Sequence, residues 1–291
     1  MADMKRGGSI WESDDGTASI LIAVGDAEEA VAAIQVARVL GRVLNATLYL
    51  LHVEQVHLTP AGLLQHLGLQ PEAVRGLILL PVTGEPANAI AAMAQQEKSL
   101  LVIMGLPGHP PDGGHAVSTI VESVLTRTAH PVLLVPEQVR PGWGEAPRIL
   151  LPVDGSPSTM GVAPVVRQLA ERWSATLDVL YVADHPANLA ESGTMQLPRF
   201  VDAPQHEWWQ WREEFLSRCG LIGTDTDGEP PDVTLTVGSG DPVHAVLART
   251  RDVRADLVAL AWHGSLLHGR ARTLKAIVWD ALVPILILRI D

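Results

Sequence analysis

The chain of 291 residues is short of several things, and each shortage narrows what it can be. It has one cysteine, Cys219. A single thiol makes no intrachain disulfide and fits a reducing compartment. Positive charge is not in excess: the formal net charge is −12 at pH 7, which argues against a nucleic-acid partner. No apolar run approaches the ~18 residues a membrane helix needs. No apolar stretch follows the charges of residues 1–8 either, so neither a signal peptide nor a membrane partner is expected, and a cytoplasmic protein is. Reaction motifs are also missing. There is no Gly-x-Gly-x-x-Gly fingerprint and no Walker loop. Ser156 lies in a turn but outside a Gly-x-Ser-x-Gly elbow and without an evident histidine partner. With no catalytic constellation, a non-enzymatic protein is the first expectation, and a small-molecule or phosphate-binding enzyme is the alternative.

What is present is a duplication. Residues 148–157 read as a buried strand, Ile149–Val153, running into Asp154-Gly155-Ser156-Pro157, which is turn and helix-cap chemistry. The phrase Ser19–Ala27 is its earlier copy. At a shift of 129 residues, 11 of the 34 positions from 20 to 53 are identical to their partners. Each copy predicts a strand (Ile20–Val24, Ile149–Val153), a helix (Ala27–Leu44, Pro157–Trp173) and a second strand (Ala46–Val53, Ala175–Val182). These strands are too continuously apolar to face water, as in a parallel sheet covered on both sides.

The offset then rises to 156, so the second copy carries 27 more residues. Trp208, Trp211, Phe215 and Cys219 in that insertion fall on one helical face and suit a core-covering helix, whereas Trp209 lies off it and leaves a partner-binding surface open. Third strands follow at Leu77–Val82 and Val233–Val237, then helices opened by Pro86 and Pro242. Fourth strands are expected at Leu100–Met104 and Leu257–Leu260, and fifth strands at Pro131–Val135 and Pro284–Leu288. The apolar 47% of the chain suffices for two cores. The expected architecture is α/β: a flexible tail over 1–18, a domain over 19–136, a linker over 137–147, and a second domain over 148–291 with a Trp-rich helix inserted around 204–219. Each domain is a doubly wound, five-stranded parallel sheet. The apolar fifth strands should meet near a pseudo-twofold, one of them as an edge, giving an intrachain pseudo-dimer. A further homodimer is left open.

The fourth strand of the first half ends in Met104-Gly105-Leu106-Pro107-Gly108, and Ser118-Thr119 opens the next helix. A glycine loop before a helix N-terminus offers backbone N–H groups to phosphate, although such loops also occur without ligands. The counterpart loop holds His263, Gly264, His268, Arg270, Arg272 and Lys275. These cations could hold an anion by side chains or be plain solvated surface. No metal is expected: His263 and His268 are five apart with no Cys, and His109, Asp112 and His115 fall short of a usual ligand set.

The duplicated first-strand phrase, the Gly-x-Pro turns at Gly84 and Gly240, the Gly-x-x-Gly loop and the His130–Val135 ending together resemble the universal stress protein family in its tandem form, over about residues 19–136 and 148–289. The resemblance implies flavodoxin-like (adenine nucleotide alpha-hydrolase-like) domains. It also implies that ATP or ADP is held by an Asp ending the first strand and a Gly-x2-Gly-x9-Gly-Ser/Thr loop. Carried over, the first-half site comprises Gly25 at the Asp position with Asp26 one place late, Val53, Met104, Gly105, Gly108, Ser118 where the family has Gly, and Thr119. In the second half Asp154 and Gly264 match, Ala261 replaces the first Gly, and Ala271-Arg272 stand where Gly-Ser/Thr belongs, leaving a remnant or an anion site with Arg270 and Arg272. The resemblance therefore implies a degenerate adenine-nucleotide site that binds weakly in the first half or not at all.

Overall fold

The computed structural model describes residues 9–13, 17–106, 119–183, 195, 205–222, 232–262 and 269–290, with backbone alone at 205–207 and 269–272. The first half runs β1 (Ser19–Ala23), α1 (Ala27–Val43), β2 (Thr47–Glu54), α2 (Pro60–His66), β3 (Leu77–Thr83), α3 (Pro86–Gln96), β4 (Ser99–Gly105), α4 (Thr119–Arg127) and β5 (Val132–Val135). The second runs β6 (Arg148–Val153), α5 (Pro157–Met160), α6 (Ala163–Trp173), β7 (Thr176–Ala183), α7 (Gln205–Arg218), β8 (Val233–Ser239), α8 (Pro242–Asp252), β9 (Leu257–Trp262), α9 (Gly269–Asp280) and β10 (Ile285–Arg289). The apolar runs behave as expected: every residue of β1, β4 and β5 is buried. Pro86 and Pro242 sit in the first turns of α3 and α8, where the missing N–H costs nothing.

All the strands form one ten-stranded sheet in the order β3-β2-β1-β4-β5-β10-β9-β6-β7-β8. Within each half the pairing is parallel, and the chain reverses its winding between the first and fourth strands. This confirms the α/β class and the doubly wound, five-stranded plan of each half. The halves join where β5 runs antiparallel to β10, with Ile285 opposite Leu134 and Ile287 opposite Val132. Both fifth strands, not one alone, are edges of their own halves' five-stranded sheets, and they meet there. Each covers the other's apolar edge, which removes the hazard of unpaired backbone.

Two continuous cores flank this sheet. One lies under α1, α2, α6 and α7; the other lies under α3, α4, α8 and α9. In α7, Trp211 and Phe215 are buried, as is Cys219 just past its end, but Trp208, expected on the same face, is exposed at 37%, and Trp209, expected off it, at 58%. Trp208 stacks on Trp211 with ring centroids 5.3 Å apart. Burial pushes the Cys219 thiol up to about 12, so it is a packing residue. Among the described residues no helix is long and apolar enough to cross a membrane.

Two sequence expectations need correcting. Pro157–Trp173 is two helices with Gly161-Val162 between them, because Pro164 has no N–H to give the Met160 carbonyl. Part of the expected loose tail is docked: Trp11 is 1% exposed and its indole N–H donates to the Val165 carbonyl at 2.8 Å. The segment 137–147 is clamped. The fully buried Asp256 carboxylate accepts from the Arg140 guanidinium at 2.7 Å and from the Arg148 N–H at 3.0 Å. Its main-chain oxygen accepts from the Trp143 indole at 2.8 Å.

Candidate functional site

In an open α/β sheet, ligands sit beyond the carboxyl ends of the strands at the switch point. In the first half this lies past β1 and β4. A cleft of about 190 Å³ opens there, lined by Val24, Gly25, Glu29, His52, Val53, Glu54, Met104, Gly105 and Ile120 among others. Of the nucleotide-site residues read from sequence, Gly25, Val53, Met104 and Gly105 come together in this cleft. Thr119 is exposed as the first residue of α4, next to Ile120. Gly108 and Ser118 lie outside the described residues.

Asp26 does something else. Its carboxylate accepts from the Glu29 N–H at 2.9 Å and caps α1. The Glu29 carboxylate returns the favour by accepting from the Gly25 N–H at 2.8 Å. This is a capping box shifted by one residue, so Asp26 belongs to the helix end and not to the cleft. It is no substitute for the missing Asp, which corrects its place among the site residues. Glu29 also explains Gly105. A Cβ on Gly105 would come within 2.5 Å of the Glu29 Cβ, so the glycine is required for α1 to pack on the end of β4. Burial pushes the Glu29 carboxyl above its ordinary range, against the pull of the Gly25 N–H.

In the second half the described residues of the matching turn are engaged with one another and with Met195. Asp154 ends β6 as the family pattern asks, but its Oδ1 accepts from the Ser156 N–H at 3.0 Å and from the Ser156 and Thr159 hydroxyls at 2.5 Å each. These bonds hold the turn into α5. Gly155 has φ +75°, and a Cβ there would meet the Met195 carbonyl oxygen at 2.2 Å. The Met195 N–H donates to the Gly155 carbonyl at 2.8 Å. The Tyr181 hydroxyl donates to the Met195 carbonyl at 3.3 Å. Met195, from the long second-half insertion, therefore lies across the turn where a ligand would rest. Gly264 falls outside the described residues. Arg270 and Arg272 are in the first turn of α9, where only the backbone is described. Lys275, a third candidate cation for an anion site, is committed elsewhere: its ammonium pairs with Glu122 of α4 at 2.5 Å.

Residues 146–289 match the model of the Universal stress protein family. Residues 146–289 are a universal stress protein domain. No curated protein matches the chain. Among solved structures, a functionally unknown protein from Pseudomonas aeruginosa PAO1 is similar at 17% identity. The match covers 94% of this chain and 92% of that one, with a TM-score of 0.64. A universal stress protein from Archaeoglobus fulgidus DSM 4304 is similar at 14% identity, over 93% of this chain and 98% of that one, with a TM-score of 0.63. At such identities these structures establish the fold of both halves. The turn that Met195 covers is thus the β6–α5 turn of the universal stress protein domain, while the open cleft lies in the first half.

Sequence reasoning overlooked three of the cleft's ionisable groups: Glu29, His52 and Glu54. The Asp26-x-x-Glu29 spacing is a readable capping signal. His52 and Glu54 are two apart in a strand and so share a face, a signal hidden by the apolar residues around them.

Proposed function

We propose that the chain is a tandem universal stress protein without catalytic chemistry. On this reading the first half keeps a small-ligand cleft, and the second half has become its closed structural partner. The observation that carries the reading is the contrast between two equivalent turns. The Gly25 turn faces an open cleft, and the Gly155 turn is covered by the Met195 backbone. The favoured occupant is an adenine nucleotide, ATP or ADP, with Val53, Met104 and Gly105 beside it. Affinity is weak, because no first-strand carboxylate faces the cleft and because Glu29 and Glu54 bring negative charge to a site meant for phosphate.

Calorimetry of the full chain with ATP and with ADP tests this. The expected result is weak saturable binding of one nucleotide. Gly108→Val should abolish it by blocking backbone approach, whereas Asp154→Ala should leave it in place. Binding that vanishes with Asp154→Ala and survives Gly108→Val would move the site to the second half. A flat titration with both nucleotides would reject the nucleotide.

A further inference from the structure

Three side chains at the rim of the first half converge without an assigned role. His52 and Glu54 project from the same face near the end of β2, and His66 is the last residue of α2, which packs beside them. The His52 ring is 3% exposed, and its Nδ1 lies 2.9 Å from the Val24 carbonyl oxygen. A carbonyl only accepts, so Nδ1 must carry the proton. In the neutral ring this leaves Nε2 as a buried lone pair. Among the described residues that Nε2 has no hydrogen-bond partner. It points at the Glu54 carboxylate, 3.6 Å away, which is also an acceptor. The same Glu54 Oε1 lies 3.3 Å from His66 Nε2. Two acceptors, the His52 Nε2 lone pair and the Glu54 carboxylate, thus face each other with the His66 imidazole beside them, a place short of a cation.

We infer that His52, Glu54 and His66 form a first-row transition-metal site, with Zn²⁺ as the best-suited ion. One ligand atom from each of the three lies within 4.8 Å of the others. Tetrahedral zinc with bonds of about 2.0–2.2 Å places its ligand atoms roughly 3.3–3.6 Å apart. The two separations from Glu54 Oε1, 3.3 and 3.6 Å, match that spacing. Two imidazoles and a carboxylate form a zinc-type donor set, and an Mg²⁺ site would ask for oxygen ligands. The outer contacts also fit. The Val24 carbonyl fixes the His52 tautomer, and the other Glu54 oxygen accepts from the Gln55 N–H at 3.1 Å. Such outer partners orient metal ligands. Three protein ligands leave a fourth position for water or an anionic group. Because His52 and Glu54 also line the cleft, a bound metal would supply there the positive charge that its carboxylates deny. The inference stands whether or not a nucleotide binds.

The test uses the full chain, made without a polyhistidine tag, stripped with a chelator and titrated with Zn²⁺ by calorimetry and with Co²⁺ by visible absorption. One equivalent should bind in the parent, with the intense absorption of four-coordinate Co²⁺, while Mg²⁺ gives no heat. His66→Ala should weaken that equivalent by about 100-fold, at or beyond the upper end of second-shell losses. Its metal-free melting point should match the parent, since the His66 side chain is 46% exposed. Glu54→Gln should likewise weaken Zn²⁺. Absence of a bound equivalent in the parent would overturn the site, as would unchanged affinity in both variants, which would assign the metal to other histidines.

Discussion

The two halves share a backbone and differ in what they put at matched positions. β1 pairs with β2, and β6 with β7, in the same register: Ser19 faces Thr47 and Arg148 faces Thr176. At the offset of 129, Gly25 corresponds to Asp154, His52 to Tyr181 and Glu54 to Ala183. In the first half, His52 gives its proton to the adjacent turn and turns a lone pair toward Glu54. In the second, Tyr181 donates instead to the incoming Met195 carbonyl and packs edge-on against Trp211 and Phe215, with centroids 5.6 and 5.4 Å away. The covering helix follows suit. The seven residues of α2 bring His66, and the fourteen of α7 bring aromatic rings. Among the described residues, the first half thus has polar groups beside its cleft, and the second has aromatic rings beside the matched strand. A few side chains and one insertion distinguish the two turns, while the strand order beneath stays the same.

The largest expected effect lies in the core of the second half. Asp178, 2% exposed in β7, accepts from two nitrogens of the Arg249 guanidinium, Nε at 2.9 Å and Nη2 at 2.6 Å, and from the Thr234 hydroxyl at 2.9 Å. The matched first-half residue is Tyr49, so the ionic pin belongs to the second half alone. Asp178→Ala should destabilise the chain by roughly 3–5 kcal/mol, because it leaves a partly buried guanidinium unpaired. Chemical denaturation measures it. Asp178→Leu combined with Arg249→Met should recover most of the loss, since two apolar groups remove the charge problem together. A single variant as stable as the parent would show that the pin contributes nothing.

The next effect separates the two turns directly. Gly155→Ala forces a Cβ into a left-handed backbone and into the Met195 carbonyl. A loss of about 1–3 kcal/mol is expected from strain at such a position. The matched residue, Asp26, sits at φ −143°. There Asp26→Gly changes only the cap and should cost a few tenths of a kcal/mol. Comparable losses at both turns would contradict the picture of one covered and one open.

Much of this fold could be read from the chain before any coordinates. The strands announce themselves as short apolar runs, and Pro86 and Pro242 mark helix starts whose physics is local. The repeat fixed the order of elements because both copies had to satisfy the same pattern. The misses share a cause: their partners are distant in sequence. Trp11 finds the Val165 carbonyl 154 residues away, and Asp256 reaches back to residues 140–148. Neither pairing leaves a periodic trace. The candidate site was half legible. Gly25, Val53, Met104 and Gly105 do gather, but Asp26 was spent on a helix cap. The closure by Met195 comes from an insertion with no counterpart in the first half. His66 comes to His52 and Glu54 only because α2 folds back across β2.

The smallest expected effect is a change of slope, and it probes the open turn. Burial holds the Glu29 carboxyl above its ordinary range. The folded chain therefore keeps a proton at pH values where the unfolded chain has already released it. More protons on the folded state means that this group's contribution to stability falls as pH rises through the window just above the usual carboxylate range. Glu29→Gln removes that term and keeps an oxygen for the Gly25 N–H. The variant should be close to the parent in acid and slightly more stable at neutral pH, by no more than about 0.5 kcal/mol, as for other partly exposed substitutions. Melting both proteins across the acid-to-neutral range checks the sign. Ser158 occupies the matched position in the second half, so a change there should leave the slope untouched. If Glu29→Gln instead loses stability toward neutral pH, the Gly25 contact with the charged carboxylate outweighs its burial, and the open turn is held by that charge.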